Sequence, residues 1–413
     1  MGIDNFKTLL EKCPSATRYV PIKRFSGKRV AVDAGNLMHK TICRPWSNIV
    51  NRTNYPGEIP DINKFHKNWI NELARSAQKF LVAGITPVYV FDGKSPPEKK
   101  DNQIERQKKR ERVREKYESA LSKLIQYPQN SELLQEVRKN ARQIYPDYSE
   151  LIYIMKEFFI SMGLPVLQSV TEADFLCVSL CLEGYCSAAV STDRDFLVHG
   201  CPILINGFGP NIQDKQNISY PTFEIILLDE LLFGLDLTFK QFIEICIMFS
   251  CDYNSNIPGM GAKRSYALYK EYGDILSIPN TRLCKYMNPW LKKNPDRTEM
   301  AEHAIQFLKF ETCLRMFSRK DITTLVDKPI SELRINLQKI EQVAPHFLGQ
   351  FQLAELINSF LRLYQLLPEY SDRDGPPNVP PNILRGTGID IWVLSQLNVD
   401  VDVEQFVSTI DAK

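Results

Sequence analysis

The chain has 413 residues, room for a catalytic domain of about 250 residues and a smaller part. Its 51 lysines and arginines nearly balance 49 acids, so the net charge of +2 names no partner until the charges are located along the chain. Ten scattered cysteines without a C-x-x-C pair exclude a disulfide framework and read as reduced core thiols of an intracellular protein, and five dispersed histidines argue against zinc. No apolar run reaches membrane-spanning length and the N-terminus lacks a signal-peptide core, so no membrane partner is expected. Phe6, where a hydroxyl residue is required, excludes myristoylation of Gly2.

In chain order, Ile3, Phe6, Leu9 and Leu10 have helical spacing, and loss of Met1 would expose Gly2. Residues 28–33 predict a buried strand ending in Asp33, followed by a helix through Leu37 and Met38. Residues 44–61, polar and proline-bearing, read as a surface excursion; 63–82 read as a helix, and 87–93 as a second strand, ending in Asp92. After the rigid break at 93–97 comes a charged helix over 99–123, then an amphipathic helix over 147–162 whose Leu151, Met155, Phe158 and Met162 are core positions. Residues 187–192 form a third buried strand and 202–206 a further one, with 223–233 as an apolar connection. Two helices flank the turn around 256–264. Helical periodicity returns at 302–316 and 353–364, a proline-rich linker follows at 371–385, and 389–413 has room for one more helix.

Three strands finishing in acids (Asp33, Asp92, and Asp193 with Asp195) aim carboxylates at one rim of a parallel sheet. Taken as extended, the 193–195 segment turns both of its acids to the same side. Glu172 and Asp174 open the segment that Asp193 and Asp195 close. Anions gathered in this way repel unless a cation intervenes, and a hard divalent metal is the natural countercharge. A lone strand-ending Asp is usually only a turn residue; three beside Glu172 and Asp174 are not so easily dismissed.

The cations are concentrated in residues 99–123, where ten Lys and Arg face five acids. Lys99, Arg106, Arg110 and Arg114 fall near one helix face. An isolated run of this kind is ordinarily a salt-bridged surface helix, with pairs such as Glu105 and Lys109. Beside a carboxylate-metal centre it would instead attract a polyanion. Gly259, Met260 and Gly261 open a helix whose backbone N–H groups suit a phosphate, and Lys263 with Arg264 add charge.

The motifs VAVDAGN (30–36), VYVFDGKSPPEKK (88–100), TEADF (171–175), STDRDF (191–196) and CDYNSNIPGMGAKR (251–264), with the opening MGI, resemble the flap endonuclease family of structure-specific 5′ nucleases, including members in large DNA viruses. The resemblance covers about residues 1–280. It implies an α/β fold with a mostly parallel central sheet flanked by helices, a helical arch over about 96–145 and a helix-two-turn-helix over about 242–275. Residues 281–370 would be a helical C-terminal part of the core and 371–413 a tail.

By the same resemblance, Asp33, Asp92, Glu172, Asp174, Asp193, Asp195 and Asp252 surround two Mg²⁺ ions, for which Mn²⁺ substitutes, and Lys99 and Arg106 lie over the scissile phosphate. Gly2 lies near the active site, and Arg110 lies on the arch, through which a single-stranded 5′ end passes. Gly259, Gly261, Lys263 and Arg264 grip the downstream duplex, where K⁺ commonly bridges turn and DNA. Three positions depart from the pattern. His39 stands where the family stacks an aromatic on a base, Asp174 replaces a longer acid, and neither a sliding-clamp box nor a basic tail is present. The end from residue 389 carries acids at 390, 400, 402, 404 and 411.

The implied function is two-metal hydrolysis of DNA phosphodiesters near single-strand to double-strand junctions. The substrate is branched or nicked DNA with a 5′ flap, some 5′ exonuclease activity accompanies the main reaction, and the protein serves replication, repair or recombination. A monomer is expected, in the nucleus or, for a viral member, at a cytoplasmic replication site. Three alternatives are a 5′ to 3′ exonuclease acting at double-strand breaks, a ribonuclease on the same rimmed sheet, and a catalytically silent DNA-binding scaffold. The scaffold predicts degraded carboxylates, whereas all seven positions are acidic.

Overall fold

The computed structural model describes residues 6–213, 217, 219–249, 251–253, 260–279, 282–283 and 310–317. Its strands are β1 (Thr17–Pro21), β2 (Arg29–Asp33), β3 (Thr86–Phe91), β4 (Val166–Gln168), β5 (Ala188–Val190), β6 (Ile203–Phe208), the short pair β7 (Ile212–Gln213) and β8 (Ser219–Tyr220), and β9 (Thr222–Leu227). The main sheet has the order β1-β9-β6-β5-β2-β3-β4. From β6 to β4 every neighbouring pair is parallel, while β9 lies antiparallel to both β6 and β1. All six residues of β3 are buried, as expected for a parallel strand covered on both faces.

The helices are α1 (Lys7–Leu10), α2 (Ala34–Arg52), α3 (Ile62–Val82), α4 (Lys100–Gln126), α5 (Ser131–Ala141), α6 (Tyr148–Ser161), α7 (Ala173–Leu182), α8 (Asp195–Val198), α9 (Leu228–Leu235), α10 (Phe239–Phe249) and α11 (Ala262–Tyr272), followed by a last described helix at Phe310–Phe317. Several start where a short polar side chain takes up a free backbone N–H: Asp33 accepts from Asn36, Asp61 from Lys64, Asn130 from Glu132 and Leu133, and Asp147 from Glu150. Apolar cores cover both faces of the sheet. On one face Tyr89 stacks on Phe159 with ring centroids 3.6 Å apart, and on the other Phe6 meets Phe242 edge-on at 5.9 Å. Among the described residues no helix is long and apolar enough to cross a membrane.

The topology chooses the place for a site. From β2 the chain steps outward through β3 to β4, then returns to β5 and β6 on the opposite side of β2. Strand order therefore reverses between β2 and β5, and a crevice opens beyond their carboxyl ends. Asp33 ends β2, and Asp193 lies three residues past β5.

Three local expectations are corrected. Residues 44–52 are not a surface excursion but the second half of α2, which accommodates Pro45 because Ile42, Trp46, Ile49 and Val50 recur at helical spacing and are buried. Residues 223–233 are not a plain connection: they hold most of β9 and the first turns of α9, and β9 with β1 extends the sheet past β6. Asp193 and Asp195 do not share one extended segment. The strand stops at Val190, and Asp195 opens α8, its N–H bonded to Asp193 Oδ1 at 3.1 Å. Gly2, Gly259, the linker at 371–385 and the tail lie outside the described residues.

Candidate active site at the carboxyl ends of the sheet

Asp33 is fixed from two directions. Its Oδ1 accepts from the Asn36 N–H at 2.9 Å, which starts α2, and its Oδ2 accepts from the Ser191 hydroxyl at 3.0 Å, which belongs to the turn after β5. Asn36 ties the same two segments together: its Nδ2 donates to Thr192 Oγ1 at 2.7 Å, and its Oδ1 accepts from the Thr192 N–H at 3.2 Å. A Cβ at Gly35 would come within 3.1 Å of Asp92 Oδ2 and 3.4 Å of Asp33 Oδ1, so a side chain there would crowd both acids.

Asp92 follows β3, and its Oδ1 accepts from the Ala173 N–H at 2.8 Å, at the first residue of α7. The chain turns tightly after it. A Cβ on Gly93 would collide with the carbonyl oxygens of Ser169 and Val170, so only glycine fits. Glu172 is the residue just before α7, and its Oε2 accepts from Tyr253 Oη at 3.0 Å and from Lys99 Nζ at 2.8 Å.

Lys99 Nζ also reaches Asp252 Oδ2 at 3.0 Å, and Arg106 Nη2 lies 3.2 Å from both Asp252 carboxylate oxygens. Asn102 Nδ2 donates to the Asp252 carbonyl oxygen at 2.8 Å. The start of α4 is thereby clamped to the segment after α10. Lys99, Arg106 and six acids (Asp33, Asp92, Glu172, Asp174, Asp193 and Asp252) line one cavity of about 160 Å³, together with His39. Asp195 does not line it. It is 4% exposed, and its charge is felt by Cys246, Cys251 and Tyr253 behind the acidic rim.

The electrostatics of this cavity are divided. Burial, reinforced by the charges of Asp92 and Asp193, pushes Asp33 up to about 7 against the hydrogen bonds that it accepts. Burial and the neighbouring Asp33 and Asp193 likewise drive Asp174 well above the carboxylate range. At Glu172 burial outweighs the pull of Lys99 and raises the acid, whereas at Lys99 burial works against the charge and the carboxylates of Glu172, Asp252 and Asp174 overcome it, holding the ammonium above its ordinary value. Asp252 is the exception. Burial opposes its charge, but Lys99 and Arg106 together hold it below the usual range.

The donor set suits hard divalent cations, being all carboxylate oxygen, and Asp33 and Asp174 carry the mutual repulsion that such a cation relieves. Among the described residues Lys99 and Arg106 supply the countercharge to these acids, and no three of the acids already converge as ligands of one ion. His39 sits at the cavity edge with Nδ1 3.3 Å from Tyr148 Oη; burial first, then Arg110 and Arg106, lower its pKa. Arg110 stands over the Tyr148 ring at 4.9 Å. Gly261 precedes α11, on which Lys263 and Arg264 are exposed.

Sequence reasoning missed Ser191, Asn102 and Tyr253. Asn36 was missed as well, although its place three residues after an aspartate that starts a helix was a usable signal. Tyr253 had no such signal, because an aromatic beside an acid is ordinary core sequence.

Comparison with known proteins agrees with this geometry. Residues 1–113 match the XPG N-terminal domain and residues 163–252 the XPG I-region. A Naegleria gruberi protein named flap endonuclease 1 is 30% identical over 313 residues, covering 73% of this chain and 76% of the relative. One of the same name from Cryptosporidium muris is 29% identical over 286 residues, 68% of this chain and 57% of the relative. A solved structure of human GEN1 in complex with Holliday junction DNA aligns with a TM-score of 0.50 at 14% identity, over 88% of this chain and 78% of that one, a likeness of fold.

Proposed function

The chain belongs to the flap endonuclease family, and on that premise we propose that it hydrolyses DNA phosphodiesters at single-strand to double-strand junctions, as a structure-specific 5′ flap endonuclease with accompanying 5′ exonuclease activity. The observation that carries this reading is the meeting of six acids with Lys99 and Arg106 in one cavity at the switch point of the sheet.

Asp33, Asp92, Glu172, Asp174, Asp193 and Asp252 would hold two Mg²⁺ ions, for which Mn²⁺ substitutes, with Asp195 acting from behind through the turn that it shares with Asp193. Bound there, such ions supply an activated water and stabilise the leaving oxygen. Lys99 has three N–H groups and gives one each to Glu172 and Asp252 while its ammonium stands over the Tyr253 ring at 5.3 Å, and the third could turn to a phosphate oxygen. Arg106 offers a planar fork beside it, and both cations offset the negative charge that develops on the phosphate. On the family's pattern His39 and Arg110 would position the single strand, and Gly261, Lys263 and Arg264 would hold the duplex with K⁺ at that turn; Gly2 and Gly259 fall outside the described residues. A monomer acting where its DNA is replicated fits this reading.

Cleavage of an end-labelled 5′-flap duplex beside a blunt duplex, in Mg²⁺, tests this. Release of the flap as one discrete oligomer is expected. A ladder of mononucleotides from both substrates would favour the exonuclease instead, and no metal-dependent cleavage of either would leave a binding scaffold.

A further inference from the structure

A second cavity, of about 580 Å³, lies between α4 and the turn that joins α5 to α6. Its size falls within the range of about 300–1,000 Å³ common to small-molecule sites. Arg110 and Arg114 enter it from one face of α4, one turn apart, and Tyr145 and Tyr148 enter from the turn. Both tyrosines are half-buried, so part of each ring is accessible.

Two acids share the wall, and each is engaged elsewhere. Glu111 Oε1 accepts from Gln107 Nε2 at 3.0 Å, and Asp147 Oδ2 accepts from the Glu150 N–H at the start of α6. Among the described residues neither acid pairs with Arg110 or Arg114. The cavity therefore presents two guanidinium groups that no carboxylate holds and two aromatic plates, the chemistry that binds a phosphate and a base together. It is joined to the carboxylate cavity by one side chain: Tyr148 Oη meets His39 Nδ1 at 3.3 Å, and His39 lines the acidic cavity. The Tyr145 hydroxyl lies 3.4 Å from Cys43 Sγ, which anchors one edge of that ring to α2.

We propose that this cavity is a nucleotide subsite for unpaired DNA, in which a base of the single strand stacks on Tyr145 while its phosphates lie on Arg114 and on Arg110, which the Tyr148 ring holds from beneath at 4.9 Å. The subsite rests on the proposed function and deepens it: the enzyme reads the presence of a base in the flap and not merely the flap's charge. A charge-only arch would hold an abasic strand equally well, since removing a base leaves every phosphate in place.

Equilibrium binding is measured with 5′-flap duplexes carrying 2-aminopurine, or an abasic unit, at successive flap positions. The expected result is fluorescence quenching confined to one or two positions, and roughly tenfold weaker binding when the abasic unit occupies them. Tyr145→Ala removes the quenching and weakens the base-bearing flap about tenfold, with at most about a twofold change for the abasic flap. Tyr145→Phe keeps the ring and retains the quenching, which separates stacking from loss of the Cys43 contact. Equal affinity for base-bearing and abasic flaps at every position, with no quenched position, overturns the subsite while flap cleavage continues. Failure to bind any of the DNAs, including a flapless nicked duplex, overturns the functional reading itself.

Discussion

Asp33, Asp92 and Asp193 stand on strand ends and turns packed into the core, each held by backbone or hydroxyl hydrogen bonds of 2.8–3.1 Å that would persist without any partner across the cavity. Lys99 and Arg106 stand at the start of α4, a helix of 27 residues that buries only Ala120 and Leu124, both near its far end. Among the described residues no buried apolar side chain of α4 fixes its near end; Lys99, Asn102 and Arg106 reach Glu172 and Asp252 directly. The sheet thus places the acids, and the acids place the cations. A rigid anionic floor beneath a helix held by polar contacts suits a substrate that must enter between them.

Substitutions on the two sides should part company. Asp193→Ala removes a fixed donor and is expected to lower the single-turnover cleavage rate on the order of a thousandfold, the several kcal/mol that metal activation contributes. Lys99→Ala should cost about a hundredfold in the same rate with DNA affinity nearly unchanged if, as proposed, Lys99 acts on developing charge. An equal loss in binding and rate would remove its catalytic role. Arg106→Ala, on a side chain 41% exposed, should cost about tenfold.

Stability gives a sharper contrast. Tyr89 is wholly buried, and its hydroxyl finds no partner among the described residues, so Tyr89→Phe should leave the fold as stable or raise unfolding free energy by up to about 1 kcal/mol in denaturant titration. The smallest effect is at His39. Burial and two arginines place its folded pKa below the ordinary histidine value, so the folded state binds fewer protons than the unfolded one between those values. Stability contributed at this site is therefore full above the unfolded pKa and falls as pH drops below it. Thermal melts at neutral and mildly acid pH should show a slightly larger drop for the parent chain than for His39→Gln.

Much of the acidic floor was legible because a parallel strand is a short apolar run and the acid that ends it interrupts that run visibly, as at Asp33 and Asp92. The cations were legible only as a charge imbalance; their partners lie 73 to 153 residues away, a distance no local pattern encodes. Pro45 hid the second half of α2, since a proline inside a helix contradicts local propensity and only the burial of Trp46, Ile49 and Val50 overrides it. Asp195 misled because a spacing of two is informative only in a strand, and the chain had already turned after Val190. β1 escaped because its only sheet partner among the described residues, β9, follows it by about 200 residues.

If the six acids around the switch point form the cleavage centre and not merely an electrostatic feature of a DNA-binding surface, neutralising one of them must stop cleavage and spare binding. The direct measurement is single-turnover cleavage of a 5′-flap duplex by Asp33→Asn beside equilibrium binding of the same DNA, both in Mg²⁺. Loss of cleavage on the order of a thousandfold, with binding kept within a fewfold, is the predicted result. Cleavage that persists while Asp33→Asn remains folded would contradict it.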